Sequence, residues 1–355
     1  MDLYIHIGYP NTASTLFERE FYSKHSEINY LGAVSQKYQK ELNLVQNNKN
    51  NDILLYILYY IFHTSRDQFN KSLTNLHSKI SGIQFDQNKT NLISYTGFLN
   101  PGRQSYEYLL RDAMNAKITD NEIIHRNKNL FNDTAELFYR LKKLFNTFDE
   151  KINLKIFYTI RNQCEFLKSY YTHFDTAIHY LYKKNIKFKD IIKRLNKNVI
   201  NDDITSKIMT YFYYNKINNE LLSLFGEKNI NVLVYEEFVE NSKLFIKNFS
   251  NYLMIHENES FNLMKEKTTN KVWRYNDGSF HKDTKFILLF KKSIIFKILR
   301  KLFHKNTKLL IHKFLAKEII GYNDKEKKII KKYFFEENTK LSKKLNIDLK
   351  MFGYF

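Results

Sequence analysis

The sequence is poor in residues that cross-link or interrupt a chain. Its single cysteine, Cys164, excludes an internal disulfide and any cysteine-rich metal site. A lone thiol is most often a small buried group, and we expect Cys164 to be one. Only two prolines and nine glycines leave few flexible linkers. The longest apolar run, residues 53–62, is well short of the roughly 20 residues that span a bilayer.

The beginning of the chain carries no targeting pattern. The first strand is expected to start at residue 2, which leaves no room before it for a signal peptide or a membrane anchor. We therefore expect the protein to be made and kept in the cytoplasm.

What the sequence does contain is typical of a globular, strongly basic protein. Hydrophobic residues make up 43% and aromatic residues 16% of its 355 positions, enough for one large domain or two small ones. The formal net charge of +20 favours anionic partners, namely nucleotides, phosphorylated or sulfated glycans and acidic lipid surfaces. Nucleic acid is disfavoured as a partner because no recognition motif accompanies the charge.

Short apolar runs alternate with segments of helical periodicity. The runs are nearly continuous, as in strands buried on both faces of a parallel sheet; they cover 2–7, 91–95, 154–160 and 230–235. The helical segments include 52–63, 134–149, 162–183 and 206–226, whereas the polar stretch 43–52 is typical of a loop or surface insertion. This alternation predicts a doubly wound α/β domain.

The chain changes character near its C-terminus. Residues 285–317 contain ten Lys or Arg and no acidic residue, with apolar clusters between them. Three interpretations stay open: packing on the main domain, contact with an anionic membrane surface, and binding of an acidic acceptor. Residues 324–345 are predicted to form a polar helix. We expect an α/β domain over 1–280 and a basic helical region, 281–355, packed on the same domain.

The stretch YIHIGYPNTASTLFERE, residues 4–20, has the layout of a phosphate-binding loop. Gly8 ends an apolar strand, and a helix is expected to begin near Ser14. Backbone N–H groups at such a junction, together with the helix dipole, favour an anion. Thr12, Ser14 and Thr15 add hydroxyl donors. The stretch is therefore a candidate anion site.

The loop departs from the Walker pattern G-x-x-x-x-G-K-[ST]. Ala13 and Ser14 stand where that pattern has glycine and lysine, and only Thr15 fits its end. A nucleotide triphosphatase or a kinase is therefore disfavoured.

The same stretch resembles the 5′-phosphosulfate loop of sulfotransferases that use 3′-phosphoadenosine 5′-phosphosulfate (PAPS). The family pattern is roughly h-x-x-G-x-P-K-[TS]-[GA]-[ST]-[ST], followed by a helix and a phrase like P-x-I-x-Y-L-G. Six residues of this chain fit the loop pattern: Gly8, Pro10, Thr12, Ala13, Ser14 and Thr15. The position of the family lysine holds Asn11.

A second segment, IFYTIRNQCEFLKSYYTHF at 156–174, resembles the 3′-phosphate motif of the same family. That motif places an arginine at a strand end and a serine eight residues later, as Arg161 and Ser169 are placed here. Arginine offers a charged planar fork to a phosphate, and a hydroxyl adds a donor. Residues 231–255 and 333–355 are weaker matches to later parts of the family.

The resemblance implies a P-loop NTPase-like parallel sheet and transfer of a sulfuryl group from PAPS, without a metal. The acceptor it implies is a hydroxyl of a carbohydrate or glycolipid. It also implies a basic loop over the nucleotide, for which Lys271 and Arg274 are the candidates; Trp273 beside them is equally consistent with adenine contact or core packing. The other implied cofactor-binding residues are Pro10, Asn11, Thr12, Ala13, Ser14, Thr15, Arg161 and Ser169.

Two side chains that the resemblance would place in the active site are missing, so the sequence does not decide whether the protein is catalytically active. Asn11 replaces the loop lysine, and Thr96 stands where bacterial relatives often have a glutamate base. Arg103 or Arg126 is a candidate replacement cation, and a histidine is a candidate base: His6, His25, His125 or His173. The sequence-based catalytic candidates are Asn11, Arg103 and His25. The alternative to an enzyme is a non-catalytic nucleotide- or glycan-binding protein.

Overall fold

A five-stranded parallel sheet forms the centre of the fold. The computed structural model describes residues 1–9, 12–32, 48–99, 134–171, 187–196, 209, 211–264, 280–282 and 318–355. The strands are β1 (Asp2–His6), β2 (Ile28–Gly32), β3 (Thr90–Ser94), β4 (Asn153–Ile160) and β5 (Ile230–Val234), in the order β2-β3-β1-β4-β5. The predicted α/β class and parallel sheet are confirmed.

The four predicted strands are β1, β3, β4 and β5, and only β2, at the edge next to β3, was not predicted. β2 carries Asn29 and ends at Gly32, so its apolar run is limited to Tyr30 and Leu31. Its polar residue is satisfied locally, because the Asn29 amide donates to Asn91 Oδ1 on β3 at 2.8 Å.

Helices alternate with the strands along the sequence and pack against the sheet. The helices include α1 (Ser14–Phe17), α2 (Asn48–His63), α3 (Arg66–Lys71), α4 (Leu73–Ile80), α5 (Thr134–Phe148), α6 (Phe188–Asn196), α7 (Tyr214–Phe225), α8 (Tyr235–Glu240), α9 (Ser242–Leu253), α10 (Glu257–Met264) and α11 (Asp324–Leu345). Another helix covers residues 163–171. The helix predicted over 324–345 is confirmed.

The loop predicted over 43–52 is wrong for its last residues, because α2 already begins at Asn48. Asparagine is a weak helix former, which explains the error. One polar residue of this turn has a buried role: Asn50 is 2% exposed and accepts a hydrogen bond from the Gln84 N–H at 3.2 Å.

An aromatic core on one face of the sheet fixes the first helix. Phe17 of α1 lies 5.9 Å from Phe245 and 5.7 Å from Phe249, ring centre to ring centre, and both partners belong to α9. Phe249 also lies 5.3 Å from Phe157 of β4. Burying aromatic rings of this size is a main source of stability. The core therefore holds the start of the first helix against the sheet.

The chain forms two compact units. The first comprises Met1–Asn162, Ser206–Thr269 and Phe335–Phe355 and contains the five-stranded sheet. The second comprises Gln163–Thr205 and Asn270–Phe334. The expected division into 1–280 and 281–355 stays a prediction, and the basic stretch 285–317 lies outside the described residues.

The second unit contains a two-stranded antiparallel sheet, β6 (Phe280–Lys282) with β7 (Glu318–Ile320). Cys164 is buried there, and burial raises the pKa of its thiol to about 11, as expected for an inert group. The carbonyl of Cys164 accepts a hydrogen bond from the Tyr322 hydroxyl at 2.7 Å. Within the part of the chain described, no helix is both long and apolar enough to cross a membrane.

Candidate functional site

The carboxyl edge of the sheet gathers the sequence motifs of the first unit. His6 ends β1, Ser94 ends β3, and Arg161 directly follows β4. β1 pairs in parallel with both β3 and β4, so the three strand ends are neighbours. Ligands of open parallel sheets bind at this edge.

The loop after β1 is anchored at its base by Tyr9. The ring of Tyr9 is fully buried and lies 5.1 Å from the ring of Tyr214 and 6.4 Å from that of Tyr158. The Thr12 hydroxyl donates to the Tyr9 carbonyl at 2.6 Å, which closes the loop on itself. Thr12 thus stabilises the loop conformation. Pro10 and Asn11, between these two residues, lie outside the described part.

Ala13 marks the junction of loop and helix. Its φ of 65° is left-handed, a conformation that costs an alanine roughly 1–2 kcal/mol. α1 begins at the next residue and continues as a π-helix over Glu18–Tyr22. Backbone strain and π-helical turns both concentrate at functional sites. The local backbone therefore supports a binding role for this loop.

A buried polar chain lies beneath the loop. His6 Nδ1 is 2.9 Å from Ser94 Oγ, and Ser94 Oγ is 2.7 Å from Glu18 Oε1. The Tyr22 hydroxyl lies 3.4 Å from His6 Nδ1, and the His6 ring stacks on Phe157 at 4.8 Å. Burial lowers the pKa of His6 to about 3 and raises the pKa of Glu18 to about 7, the latter against the Ser94 hydrogen bond.

The second nitrogen of His6 faces the loop. A Cβ at residue 8 would lie 2.8 Å from His6 Nε2, so glycine at this position leaves room that any other residue would fill. His6 Nε2 is buried and has no hydrogen-bond partner among the described residues. A buried ring nitrogen without a partner is costly, and a ligand or a water bound next to Gly8 would satisfy it.

Arg161 is held in place from two sides. Its guanidinium carbon lies 4.7 Å from the centre of the Tyr235 ring, and its carbonyl accepts a hydrogen bond from the Tyr214 hydroxyl at 2.7 Å. Glu236, next to Tyr235, accepts from the Asn162 N–H at 2.9 Å. Burial raises the pKa of Glu236, and the Asn162 N–H and the Arg161 charge oppose that rise. These contacts orient the cation at the end of β4.

No protein-family model matches this chain, and no curated protein matches it. Among solved structures the chain is similar to a sulfotransferase from Alicyclobacillus acidocaldarius, with a TM-score of 0.45 and 9% identity over 99% of this chain and 98% of that one. It is also similar to a sulfotransferase domain from the curacin biosynthetic pathway, with a TM-score of 0.33 and 12% identity over 75% and 78% of the two chains. Values this low do not transfer a function.

The other sequence-based candidates fall in several places. Ser14 is buried and Thr15 is half-buried in the first turn of α1. Ser169 is buried on the helix 163–171, which belongs to the second unit. The remaining candidates lie outside the described residues: Pro10, Asn11, Arg103, His125, Arg126, His173, Lys271, Trp273 and Arg274.

His25 lies at the other edge of the sheet. It precedes β2, so it sits near the amino ends of the strands, whereas the loop follows the carboxyl end of β1. His25 Nε2 is 3.1 Å from Ser260 Oγ, and His25 Nδ1 accepts from the Glu27 N–H at 3.3 Å. Its ring connects the strand start to α10. His25 therefore lies at the opposite end of the strands from the loop after β1.

Sequence reasoning overlooked Glu18 and Ser94. Ser94 is separated from Glu18 by 76 positions and from His6 by 88, so only the fold brings them together. One signal was present: Glu18 lies between Phe17 and Phe21, two large apolar residues at helical spacing. An acid at such a position indicates either a paired or an uncharged carboxyl.

Proposed function

We propose that this protein is a PAPS-dependent sulfotransferase. The observation that supports this most is the placement of two motifs at one edge of the sheet. The phosphosulfate-type loop follows β1, and Arg161 follows the adjacent parallel strand β4. Two anion-binding elements at neighbouring strand ends suit a nucleotide with phosphates at both its 5′ and 3′ positions.

The proposed reaction is sulfuryl transfer to a hydroxyl. The bond from sulfur to the bridging oxygen of PAPS breaks, and a bond from sulfur to the acceptor oxygen forms. The products are a sulfate ester, 3′,5′-adenosine bisphosphate and the proton of the acceptor hydroxyl. PAPS supplies the sulfuryl group, and the protein contributes binding, orientation and stabilisation of the negative charge.

Individual residues have proposed roles in that binding. Backbone N–H groups of the loop, with Ser14 and Thr15, hold the 5′-phosphosulfate, and Arg161 holds the 3′-phosphate. Ser169 is a further candidate donor on the strength of the sequence resemblance. Lys271 and Arg274 are proposed to contact the nucleotide on the strength of the sequence resemblance. Two features are consistent with an anion at this loop: the left-handed backbone of Ala13, and His6 Nε2, which has no partner among the described residues.

The acceptor is proposed to be a carbohydrate or glycolipid hydroxyl. The net charge of +20 favours acidic glycans and anionic lipid surfaces. A cytoplasmic protein that contacts the membrane surface through 285–317 is consistent with the charge pattern.

Calorimetric titration of the nucleotide tests the assignment. We expect 3′,5′-adenosine bisphosphate to bind with a micromolar dissociation constant, and ATP and 5′-AMP to bind clearly more weakly, because they lack a 3′-phosphate. Equal binding of the three nucleotides, or no binding of any, would contradict the proposal.

A second candidate, a non-catalytic nucleotide-binding protein, is favoured by one observation. Asn11 offers a neutral amide where the family has a charged lysine next to the leaving oxygen. Losing one such stabilising donor typically costs about 10²–10³-fold in rate. Binding would suffer less, since the loop backbone and Arg161 remain.

The variant Asn11→Lys distinguishes the two candidates. The assay is the release of 3′,5′-adenosine bisphosphate from PAPS with water as acceptor, and Asn11→Ala is the matched control. For a sulfotransferase with a relocated cation, we expect measurable wild-type turnover and a gain of less than about tenfold in the lysine variant. A wild-type protein without detectable turnover, together with a lysine variant at least about 10²-fold above the detection limit, would instead support the non-catalytic binding protein.

A further inference from the structure

The chain of Glu18, Ser94 and His6 has two protonation states that differ on the side facing the loop. The imidazole of His6 is neutral at ordinary pH, since burial lowers its pKa to about 3, so one ring nitrogen carries the only N–H. Which nitrogen carries it depends on the hydrogen bond at Nδ1. Ser94 lies between that nitrogen and Glu18, at 2.9 Å and 2.7 Å.

When Glu18 is ionised, its carboxylate can only accept. The Ser94 hydroxyl then donates to Glu18, and His6 Nδ1–H donates to Ser94 Oγ. His6 Nε2 is left with a lone pair towards the loop, which repels an anion. In this state the three residues together carry one negative charge.

When Glu18 is protonated, the direction of both hydrogen bonds among Glu18, Ser94 and His6 is reversed. The Glu18 hydroxyl donates to Ser94 Oγ, the Ser94 hydroxyl donates to His6 Nδ1, and the N–H moves to Nε2. The balance is one proton gained by the chain as a whole: Nε2 gains a hydrogen, Nδ1 loses one to Ser94, and Ser94 loses one to Glu18. In this state the chain is neutral and presents a donor towards the loop.

We propose that binding of a sulfate or phosphate group beside Gly8 and Ser14 is coupled to uptake of one proton by Glu18, Ser94 and His6, with His6 Nε2–H as a donor to the anion through the space above Gly8. Gly8 is the residue that makes this approach possible, because a Cβ there would lie 2.8 Å from Nε2. The inference rests on the proposed anion-binding role of the loop. Glu18 and Ser94 are positioning residues in this scheme, since they act through His6.

In the described part of the protein, the other titratable groups that face Glu18 are phenols, which stay uncharged near neutral pH. Tyr22, on the same helix, and Tyr30, on β2, face Glu18. Burial raises the pKa of both phenols well above the ordinary value, and the negative charge of Glu18 adds to that rise. Phe157, stacked on His6 from β4, has no titratable group. Glu18 is therefore the group that titrates, because burial raises its pKa to about 7.

Inorganic sulfate is the best probe of this coupling, because sulfate itself does not titrate near neutral pH. Its binding is followed by calorimetry at constant ionic strength, in buffers of different ionisation enthalpy, and by the amide signals of Gly8 and Ser14. Above about pH 7 we expect the wild-type affinity to fall by up to about tenfold per pH unit and proton uptake to approach about one per sulfate. Near pH 5.5 the uptake should approach zero.

Two variants isolate the chain from other titrating groups. Glu18→Gln mimics the protonated carboxyl. The sulfate affinity of this variant should therefore stay constant between about pH 5.5 and about pH 8.5, and sulfate binding should take up no proton. Glu20→Gln, on the same helix, removes a carboxylate that pairs with Lys24 and should keep the wild-type behaviour. The same pH dependence in wild type and Glu18→Gln would overturn the proposal.

The tautomer of His6 provides a readout that a purely structural role would not change. Nitrogen-15 NMR of labelled histidine should show the N–H of His6 moving from Nε2 to Nδ1 as the pH rises through about 7 in the free protein. Ser94→Ala should abolish that movement while the fold is kept. A tautomer that does not change with pH would overturn the inference even if the nucleotide binds as proposed. Absence of any anion binding would overturn the coupling and the proposed function together, and the NMR titration would still show whether the chain switches.

Discussion

Replacing Arg161 by alanine is expected to lower the affinity for 3′,5′-adenosine bisphosphate by about 100-fold. Hydrogen bonds to a charged group contribute about 1.5–3 kcal/mol, and a bidentate arginine–phosphate pair makes two of them. A loss of about 3 kcal/mol corresponds to roughly two factors of ten in the dissociation constant. Binding of 5′-AMP, which has no 3′-phosphate, should be nearly unchanged. Both affinities are measured by calorimetry on the same preparations.

Two further variants test whether the effect belongs to the phosphate contact. Arg161→Lys keeps the charge and loses the planar fork, so it should bind the bisphosphate with intermediate affinity. Arg66→Ala removes an exposed arginine of the same unit, paired with Glu136 at 3.0 Å, and should bind like the wild type. If Arg161→Ala weakens 5′-AMP as much as the bisphosphate, the residue supports the local structure through Tyr235 instead of the 3′-phosphate.

Most of the sheet could be predicted because its strands are buried on both faces. β1, β3, β4 and β5 are nearly continuous apolar runs, and such runs are visible in the sequence alone. β2 is interrupted by Asn29, whose amide is satisfied by Asn91 on the neighbouring strand, and it ends at Gly32. That contact depends on strand pairing, which local patterns do not reveal.

In the candidate site, too, some features are visible in the local sequence and others depend on the fold. The loop at the end of β1 was visible because Gly8, the hydroxyl residues and the helix start are consecutive in the sequence. The polar chain beneath it was not, because Glu18, Ser94 and His6 come from three different elements. Their chemistry also depends on burial: an exposed Glu18 would be an ordinary carboxylate, whereas enclosure raises its pKa to about 7.

Replacing Glu18 by glutamine is expected to change how the stability of the protein depends on pH. Burial raises the pKa of the Glu18 carboxyl from 4.5 to about 7 in the folded state. Between these values the folded protein keeps a proton that the unfolded chain releases, so the free energy of unfolding falls as the pH rises through this window. The loss is complete above about pH 7. From pH 5 to pH 8 it amounts to about 2–3 kcal/mol, at 1.36 kcal/mol per pKa unit.

Glutamine does not titrate, so the free energy of unfolding of Glu18→Gln should not show this loss. Relative to the wild type it should rise by about 2–3 kcal/mol as the pH is raised from 5 to 8. His6 acts in the opposite direction, since its pKa is lowered from 6.5 to about 3 and stability rises with pH in that range. That contribution is common to both proteins and cancels in the comparison. Urea unfolding at the two pH values measures the difference. Glu20→Gln, which loses an ion pair to Lys24, should follow the wild type within about 1 kcal/mol at both pH values. Parallel pH profiles of wild type and Glu18→Gln would mean that Glu18 is ionised in the folded protein, and hence that its buried site stabilises the charge instead of repelling it.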